Sequence, residues 1–361
     1  MFDWFRQYGK SILFLSSAPI DEVWTRSTAL ACRRSGKRVQ VIMCGNATEG
    51  GDHAVSLYRA AGIAASQGVS FVDAAAERCA IAVTASSGLD RGIFPTRGRL
   101  FVHMPHSIAS LHMIYPPGSF DGYDVLLAAG PQHDREFLAL AKARGLTGRR
   151  VLAAGYGKLD VLVEMAKQGK PAQNARPKVL IAPSWGPDNL LDRCGPALAE
   201  QLAAQDFDVV VRPHPLFFLE HAPVLDGLRT LAGRTPWVTL ESPLDGDKAI
   251  FDADVLVGDY SGTSFEFAAL RRRPVVSVDV GLKIANPDWA RVGLDPVELA
   301  LRAELGPVVA PDAATVVAAV RDMLASPRAI NGDTLARFLH GRVGDCGVRA
   351  AGLLDRLLRE S

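Results

Sequence analysis

The chain has 361 residues, of which 48% are hydrophobic and 22% charged, with a formal net charge of +1 at pH 7. This composition is that of a globular protein, and the length suffices for two domains of roughly 150–200 residues. The near-neutral charge argues against a dedicated nucleic-acid-binding protein, so we expect no nucleic-acid partner. The five cysteines are odd in number, widely spaced and never arranged as CxxC, which favours reduced thiols over a disulfide framework or a zinc site.

The amino terminus, "MFDWFRQYGKSILFLSSAP", carries the short apolar stretch Ile12–Leu15. This stretch is too short for a signal peptide and predicts a first strand instead. The residues before it include the aromatic Phe2, Trp4 and Phe5 and the basic Arg6 and Lys10. They fit either a short amphipathic anchor or a helix that packs on its own domain. No apolar run reaches the roughly 18 residues of a membrane span. We therefore expect a cytoplasmic protein, with peripheral contact at the inner face of the cell membrane left open.

Apolar runs then alternate regularly with helical patterns along the chain. The first half contains "SILFLSS", "RVQVIMC", "CAIAVTA", "RLFVHM", "DVLLAA" and "RVLAAG"; the second contains "KVLIAP", "DVVVRPHP", "WVTL", "DVLVGD" and "PVVSVDV". Runs this apolar are typical of parallel strands covered by helices on both faces. The pattern predicts two doubly wound α/β domains, over 1–168 and 178–361, joined by a polar linker over 169–177. The last helix is a candidate to pack back on the first domain.

Polar clusters follow three of the strands predicted in the second domain. "APSWG" brings Ser184 and Trp185, "RPHP" brings Arg212 and His214, and "GDYSGTS" brings Asp259 to Ser264. Ligands of open parallel sheets bind beyond the carboxyl ends of the strands, so these clusters are expected to form one site.

The segment after Asp259 has the make-up of an anion site. Gly262 allows close approach of the backbone to a ligand, and the following helix offers free N–H groups and the positive end of its dipole. Ser261, Thr263 and Ser264 add hydroxyl groups. Helix capping is the alternative, because Thr263 and Glu266 match the S/T-x-x-E capping box. In "RPHP", the two prolines fix the direction of His214, which with Arg212 could bind phosphate oxygens and stabilise a leaving group.

Histidines also follow a strand in the first domain, in "FVHMPHSIASLHMIY". The spacing of His103 and His106 could place metal ligands, but no HExxH pattern is present and we expect no metal. The preferred interpretation is a catalytic base, for which His106 is better placed than His103 because it lies beyond the strand. For His112 we expect a structural role. The sequence contains no GxxxxGK[ST], GxGxxG or GxSxG motif, which argues against P-loop enzymes, dinucleotide oxidoreductases and α/β-hydrolases.

Taken in order, these clusters resemble the CDP-glycerol glycerophosphotransferases of teichoic-acid and capsule-like polymer synthesis. The resemblance rests on "PHS" around His106, "YDVLLAAG", "GYGKLD", "APSW", "RPHP" and "GDYSGTSFEFAALRRRPVV". It extends from about residue 100 to 280 and implies a GT-B-like fold with two Rossmann-like domains facing each other across a cleft. It implies that His106 is the base and that His214, with Ser261 and Gly262, holds a pyrophosphate.

Three positions depart from the family pattern. Ser107 replaces the glycine after the catalytic histidine, Gly262 replaces the second serine of DYSS, and Gly157 replaces the proline of GYP. The resemblance implies transfer of glycerol phosphate, or a similar polyol phosphate, from a CDP-activated donor to a hydroxyl of a glycan or lipid-linked glycan, with release of CMP and no cofactor. The alternatives left open are a GT-B sugar-nucleotide glycosyltransferase, a UDP-sugar 2-epimerase-like enzyme and a non-catalytic binding protein on the same frame.

Overall fold

The computed structural model describes residues 11–18, 21–94, 99–168, 176–186, 188–242, 248–326 and 328–360. Two compact units divide the chain. Unit 1 comprises the described residues up to Glu164, together with Ala285–Leu294 and those from Ala336 onwards. Unit 2 comprises Met165–Ile284 and Asp295–Leu335.

Unit 1 is built on a seven-stranded parallel sheet with the strand order β3-β2-β1-β4-β5-β6-β7. Its strands are β1 Ser11–Ser16, β2 Arg38–Cys44, β3 Ala64–Val69, β4 Ile81–Thr84, β5 Leu100–His103, β6 Val125–Ala128 and β7 Arg150–Ala153. Its helices are α1 Glu22–Arg34, α2 Glu49–Ala60, α3 Phe71–Ala76, α4 Pro131–Ala143 and α5 Gly157–Gln168.

Unit 2 is built on a six-stranded parallel sheet with the order β10-β9-β8-β11-β12-β13. Its strands are β8 Lys178–Ile181, β9 Asp208–Val211, β10 Val238–Leu240, β11 Val255–Gly258, β12 Val275–Val278 and β13 Val308–Val309. Its helices are α6 Leu190–Ala203, α7 Phe217–Glu220, α8 Ala222–Arg234, α9 Lys248–Asp252, α10 Gly262–Arg271, α11 Val297–Ala300, α12 Arg302–Leu305, α13 Ala313–Ala325 and α14 Gly332–Ala336. A 3-10 turn over Trp289–Val292 belongs to unit 1. The final helix, α15 Cys346–Glu360, packs on α1 within unit 1.

The cores explain why these runs form central strands. β4, β6 and β11 are buried along their whole length. A strand covered by helices on both faces must be apolar at consecutive positions, which is the pattern read from the sequence. All eleven predicted strands are present. Two further strands had no such signal: β3 is half polar, and β13 has only two residues.

The observed units differ from the predicted continuous domains. Residues 285–294 pack in unit 1 because the backbone N–H groups of Ala285 and Asn286 donate to Met113 O, and the Asn286 amide donates to His112 O. Most of the predicted linker, 169–175, lies outside the described residues, as does the amphipathic segment that contains Phe2, Trp4 and Phe5. In the part of the chain that the structure describes, no helix has the length and apolarity needed to cross a bilayer. All five cysteines are free thiols.

Candidate active site

The three polar clusters of unit 2 follow strands that are direct neighbours in the sheet. The order β9-β8-β11 places the residues after "DVVV", "KVLI" and "DVLVG" side by side at one edge. Parallel strands end at the same edge of a sheet, so Arg212 and His214, Ser184 and Trp185, and the Asp259–Ser264 segment share it. The strand order therefore assembles what the sequence separates by up to 80 residues.

Asp259 connects the segment after β11 to the loop after β8 by hydrogen bonds. Its Oδ1 accepts the backbone N–H of Ser184 at 2.6 Å, and its Oδ2 accepts that of Leu190, the first residue of α6, at 3.1 Å. The carboxylate is buried, and burial raises its pKa despite these hydrogen bonds. A buried carboxylate whose two oxygens are occupied positions the loop after β8. The assignment of Asp259 to the nucleotide- or phosphate-binding residues stays a prediction.

Trp185 and His214 present rings to each other. The ring centroids lie 6.0 Å apart at an interplanar angle of 36°, and Trp185 remains 38% exposed. The backbone N–H of Leu216 donates to His214 Nδ1 at 3.2 Å. This hydrogen bond leaves the proton of the neutral imidazole on Nε2, which makes that atom a donor suited to an anionic oxygen. Nearby, Arg212 Nε lies 3.8 Å from Glu241 Oε2.

The amino terminus of α10 follows β11 directly. Ser261 is its N-cap and accepts the backbone N–H of Thr263 at 3.2 Å, so the predicted capping box with Thr263 as the cap is wrong. Ser261 adopts extended φ/ψ values, so the helix begins one residue later, at Gly262. Ser264 is only 4% exposed and its hydroxyl is directed towards Gly258. The remaining first-turn donors are the Gly262 N–H and the Thr263 hydroxyl, neither of which has a partner among the described residues.

Tyr260 ties the same segment to the end of β12. Its hydroxyl donates to Asp279 Oδ1 at 2.9 Å and accepts a hydrogen bond from Arg302 Nη1 at 2.8 Å. Arg302 Nη2 also donates to Asp279 Oδ2 at 3.1 Å. These bonds join β11, β12 and the start of α12, so the "DYS" segment and the loop that follows β12 are held in fixed positions.

The loop after β12 adds a residue that the sequence reading missed. Lys283 Nζ lies 4.0 Å above the centroid of the Trp185 ring. Burial lowers the pKa of Lys283 to about 8, although the carboxylates of Asp259 and Glu298 act in the opposite direction. The only sequence signal was a lysine shortly after a strand end, in "VDVGLK".

In unit 1, His106 lies beyond β5 with both ring nitrogens engaged. Nδ1 lies 2.8 Å from the carbonyl oxygen of Ala85 and must therefore carry the proton. Nε2 is then the basic nitrogen, and it accepts the hydroxyl of Tyr115 at 3.0 Å. Burial lowers the pKa of His106, while the Ala85 hydrogen bond and the Asp21 carboxylate raise it. The ring is thus kept in the neutral form that a general base requires.

The "GYGKLD" motif supports this histidine. Tyr156 Oη donates to the backbone carbonyl of His106 at 2.9 Å and accepts the indole N–H of Trp24 at 2.8 Å. A side chain at Gly157 would overlap the carbonyl oxygen of Trp24, which explains the glycine where the related family has proline. Asp160 accepts the backbone N–H groups of Cys346 and Gly347 and so fixes the start of α15.

The other two histidines of this segment are part of the core. His103 is 1% exposed and packs between Phe120 and Tyr123, with ring centroids at 5.2 Å and 4.7 Å. Burial lowers its pKa well below the ordinary value. His112 is fully buried, and its Nε2 donates to Leu294 O at 3.0 Å. Within the described ranges no group of three or more His, Cys, Asp or Glu side chains is placed to hold a metal ion.

A second polar cluster lies at the same end of the unit 1 sheet. Asp21 Oδ2 accepts the backbone N–H of Ser17 and the hydroxyl of Ser86, each at 3.0 Å. Ser17 follows β1 and Ser86 follows β4, so Asp21 joins two adjacent strand ends. Its charge reaches His106 and raises that residue's pKa. Neither Asp21 nor Tyr115 stands out in the sequence as a functional residue.

Two parallel-sheet α/β units define a GT-B-like two-domain protein, and comparison with solved structures agrees. UDP-GlcNAc 2-epimerase from Neisseria meningitidis, bound to UDP-GlcNAc, is 11% identical, with 97% of this chain and 100% of that chain covered and a TM-score of 0.66. UDP-N-acetylglucosamine 2-epimerase from Rickettsia bellii is 11% identical (97% and 96% covered, TM-score 0.60). A glycosyltransferase from Rickettsia africae is 14% identical (97% and 96% covered, TM-score 0.50). At these identities the likeness shows the fold alone, and it confirms the predicted fold class.

A family model matches just under half of the chain. Residues 118–283 match the family described as CDP-glycerol:poly(glycerophosphate) glycerophosphotransferase. The match confirms the resemblance that the motifs indicated, and it indicates a CDP-glycerol glycerophosphotransferase-like enzyme. The matched range includes "GYGKLD", "APSW", "RPHP", "GDYSGTS" and Lys283, whereas His106 and Tyr115 precede it. No curated protein matches the chain.

Proposed function

We propose that this enzyme transfers glycerol phosphate, or a similar polyol phosphate, from a CDP-activated donor to a hydroxyl of a glycan or lipid-linked glycan. The step belongs to the synthesis of a teichoic-acid-like or capsule-like polymer of the cell envelope, at the inner face of the membrane, and it releases CMP. The observation that carries the proposal is the family match over 118–283, whose motifs follow three adjacent strands of unit 2.

Each part of the reaction has a residue suited to it. His106 Nε2 takes the proton of the acceptor hydroxyl, whose oxygen attacks the β-phosphorus of the donor. A new O–P bond forms, the bond from that phosphorus to the bridging oxygen breaks, and the electron pair leaves with CMP. His214 Nε2–H, Arg212 and the first turn of α10 stabilise the charge that grows on the bridging and phosphoryl oxygens.

The proposed donor-site residues divide into those that contact the nucleotide and those that hold them. Contact is assigned to Trp185, Arg212, His214, Gly262 and Thr263, which carry rings or donors at the strand ends. Ser184, Asp259, Ser261 and Ser264 hold the loops through the bonds and packing described above. Removing one donor to the developing charge should lower kcat by about a hundredfold or more.

The decisive experiment is incubation with CDP-glycerol, CDP-ribitol and UDP-GlcNAc, with and without a polyol-phosphate-primed acceptor. Release of CMP from a CDP-polyol that requires the acceptor supports the proposal. If UDP-GlcNAc is turned over and neither CDP-polyol is, the glycosyltransferase or epimerase alternative replaces the proposed function. Release of no product from any donor, together with unchanged ligand binding in H106A and H214A, would favour the non-catalytic alternative.

A further inference from the structure

Lys283 is a charged residue whose ammonium group contacts an aromatic ring but no acidic side chain among the described residues. Its ammonium lies 4.0 Å above the Trp185 ring and makes no hydrogen bond or ion pair within the described part of the chain. An ammonium group has three N–H donors, and an aromatic face can satisfy only part of that capacity. A half-buried cation without a direct partner is expected to bind an anion or to lose its proton.

The position of this lysine is built into the fold. Asp279 accepts hydrogen bonds from Tyr260 and Arg302, and the Gly281 N–H also favours the ionised form of Asp279. Gly281 has φ +101°, a conformation that residues with side chains rarely adopt. The turn over Asp279–Lys283 is thereby fixed to the segment that supplies the first turn of α10.

The surroundings of the ammonium point to an anion and not to a protein carboxylate. The charged groups that act on Lys283 are Asp259, at the end of β11, and Glu298, on α11. Both are buried, and among the described residues neither forms an ion pair with Lys283. Asp259 already accepts two backbone N–H groups. His214 approaches the Trp185 ring and adds a second donor beside the same surface.

We propose that Lys283 is a further anion-binding residue of the donor site, where its ammonium, placed over Trp185, binds the diphosphate oxygens of a nucleoside diphosphate. That the bound nucleotide carries cytosine rests on the proposed function. That Lys283 binds a diphosphate does not. The phosphate oxygens would accept hydrogen bonds from the ammonium N–H groups. Contact with the Trp185 ring holds the lysine side chain in position before the ligand binds. The residue acts on binding of the diphosphate, not on proton transfer.

The test measures the binding of CDP, UDP, cytidine and inorganic pyrophosphate by titration calorimetry, with the wild type and the variants K283M, K283R and K248M. K283M should bind CDP and pyrophosphate about ten- to a hundredfold more weakly, the range for one charge-assisted hydrogen bond. Its affinity for cytidine should be unchanged. K248M is the matched control, because Lys248 is an exposed lysine of unit 2 whose Nζ lies 3.6 Å from Asp252.

A pH series separates a charge role from a packing role. The affinity of the wild type for CDP should fall between about pH 7 and about pH 9, because the pKa of Lys283 is lowered to about 8. K283R keeps its charge and should remove this loss. If K283M binds CDP as tightly as the wild type does, the inference is overturned while the proposed function stands. Lysine-dependent binding of UDP or pyrophosphate, without CMP release from CDP-glycerol or CDP-ribitol, would contradict the proposed function but not this role. A wild type that binds none of the phosphate compounds would overturn the inference.

Discussion

The hydroxyl of Tyr115 donates to Nε2 of His106 over 3.0 Å, while Nδ1 of the same ring is held by the carbonyl of Ala85. Tyr115 therefore occupies the one nitrogen on which His106 can accept a proton. In the proposed reaction, a proton reaches Nε2 either through the Tyr115 hydroxyl or after that hydroxyl turns away. Either way, Tyr115 orients the proposed base. Its position in a loop, nine residues after His106, gave no sign of this contact in the sequence.

Replacement of Tyr115 by phenylalanine tests this relationship. We expect Y115F to lower kcat for CMP release by about ten- to a hundredfold, because the ring of His106 loses the partner that fixes its Nε2. KM for the CDP-polyol should be unchanged, because the proposed donor residues belong to unit 2. Y58F is the matched control: Tyr58 is a buried tyrosine of unit 1 whose hydroxyl donates to Glu22 at 3.0 Å. Equal kcat values for Y115F and the wild type would exclude the assigned role.

The pH dependence of the reaction should report His106. Burial lowers the pKa of this ring, so the acid limb of kcat/KM is expected below the ordinary value of about 6.5. Asp21 acts in the opposite direction, and D21N should move the acid limb to still lower pH. D52N removes an exposed carboxylate of the same unit and should leave the profile in place. An acid limb that is identical in D21N and the wild type would show that another group titrates there.

Asp259 should make stability depend on pH in an unusual direction. Its pKa is raised in the folded state, so its contribution to stability is complete below about 3.9 and is lost as pH rises through the folded-state value. The free energy of unfolding of D259N, relative to the wild type, should therefore increase as pH rises from about 3 to about 7. Denaturant titration at a series of pH values measures this difference.

Asp312 serves as a control, because its contribution to stability should change with pH in the opposite direction. It is the N-cap of α13, and the N–H and hydroxyl of Thr315 lower its pKa. Its contribution is present above the unfolded-state pKa and is lost as pH falls through the folded-state value. The free energy of unfolding of D312N, relative to the wild type, should decrease over the same rise in pH. The same sign for both variants would contradict the burial assigned to Asp259.

Gly157 should tolerate no side chain. The Cβ of G157A would overlap the carbonyl oxygen of Trp24, and overpacking of this kind typically costs about 1–3 kcal/mol. G352A, in the exposed interior of α15 with open space at its Cβ, should be neutral or stabilising by up to about 1 kcal/mol. Chemical denaturation of the two variants measures both values. A G157A protein as stable as the wild type would show that the Trp24 backbone moves away easily.

Much of the proposed donor site could be predicted from the sequence because its signals are local. Apolar runs of buried parallel strands identified eleven strands, and the polar residues after three of them identified one edge of the second sheet. The capping box at Thr263 was wrong because that motif requires only two residue types three positions apart. The actual start of the helix depends on the extended backbone of Ser261. Lys283 was missed because a lone lysine in a loop resembles any surface lysine.

The sequence by itself determined the fold class, the resemblance to the glycerophosphotransferase family and the order of the strand-end motifs, since each depends on residues that are near one another in the chain. Only the tertiary structure showed that His103 is buried between Phe120 and Tyr123, that Asp259 holds loops and that Lys283 lies over Trp185. Those roles depend on burial and on distances between residues far apart in sequence. Burial decides which ring remains near solvent, and strand order decides which loops meet. Neither is encoded in the spacing of a motif.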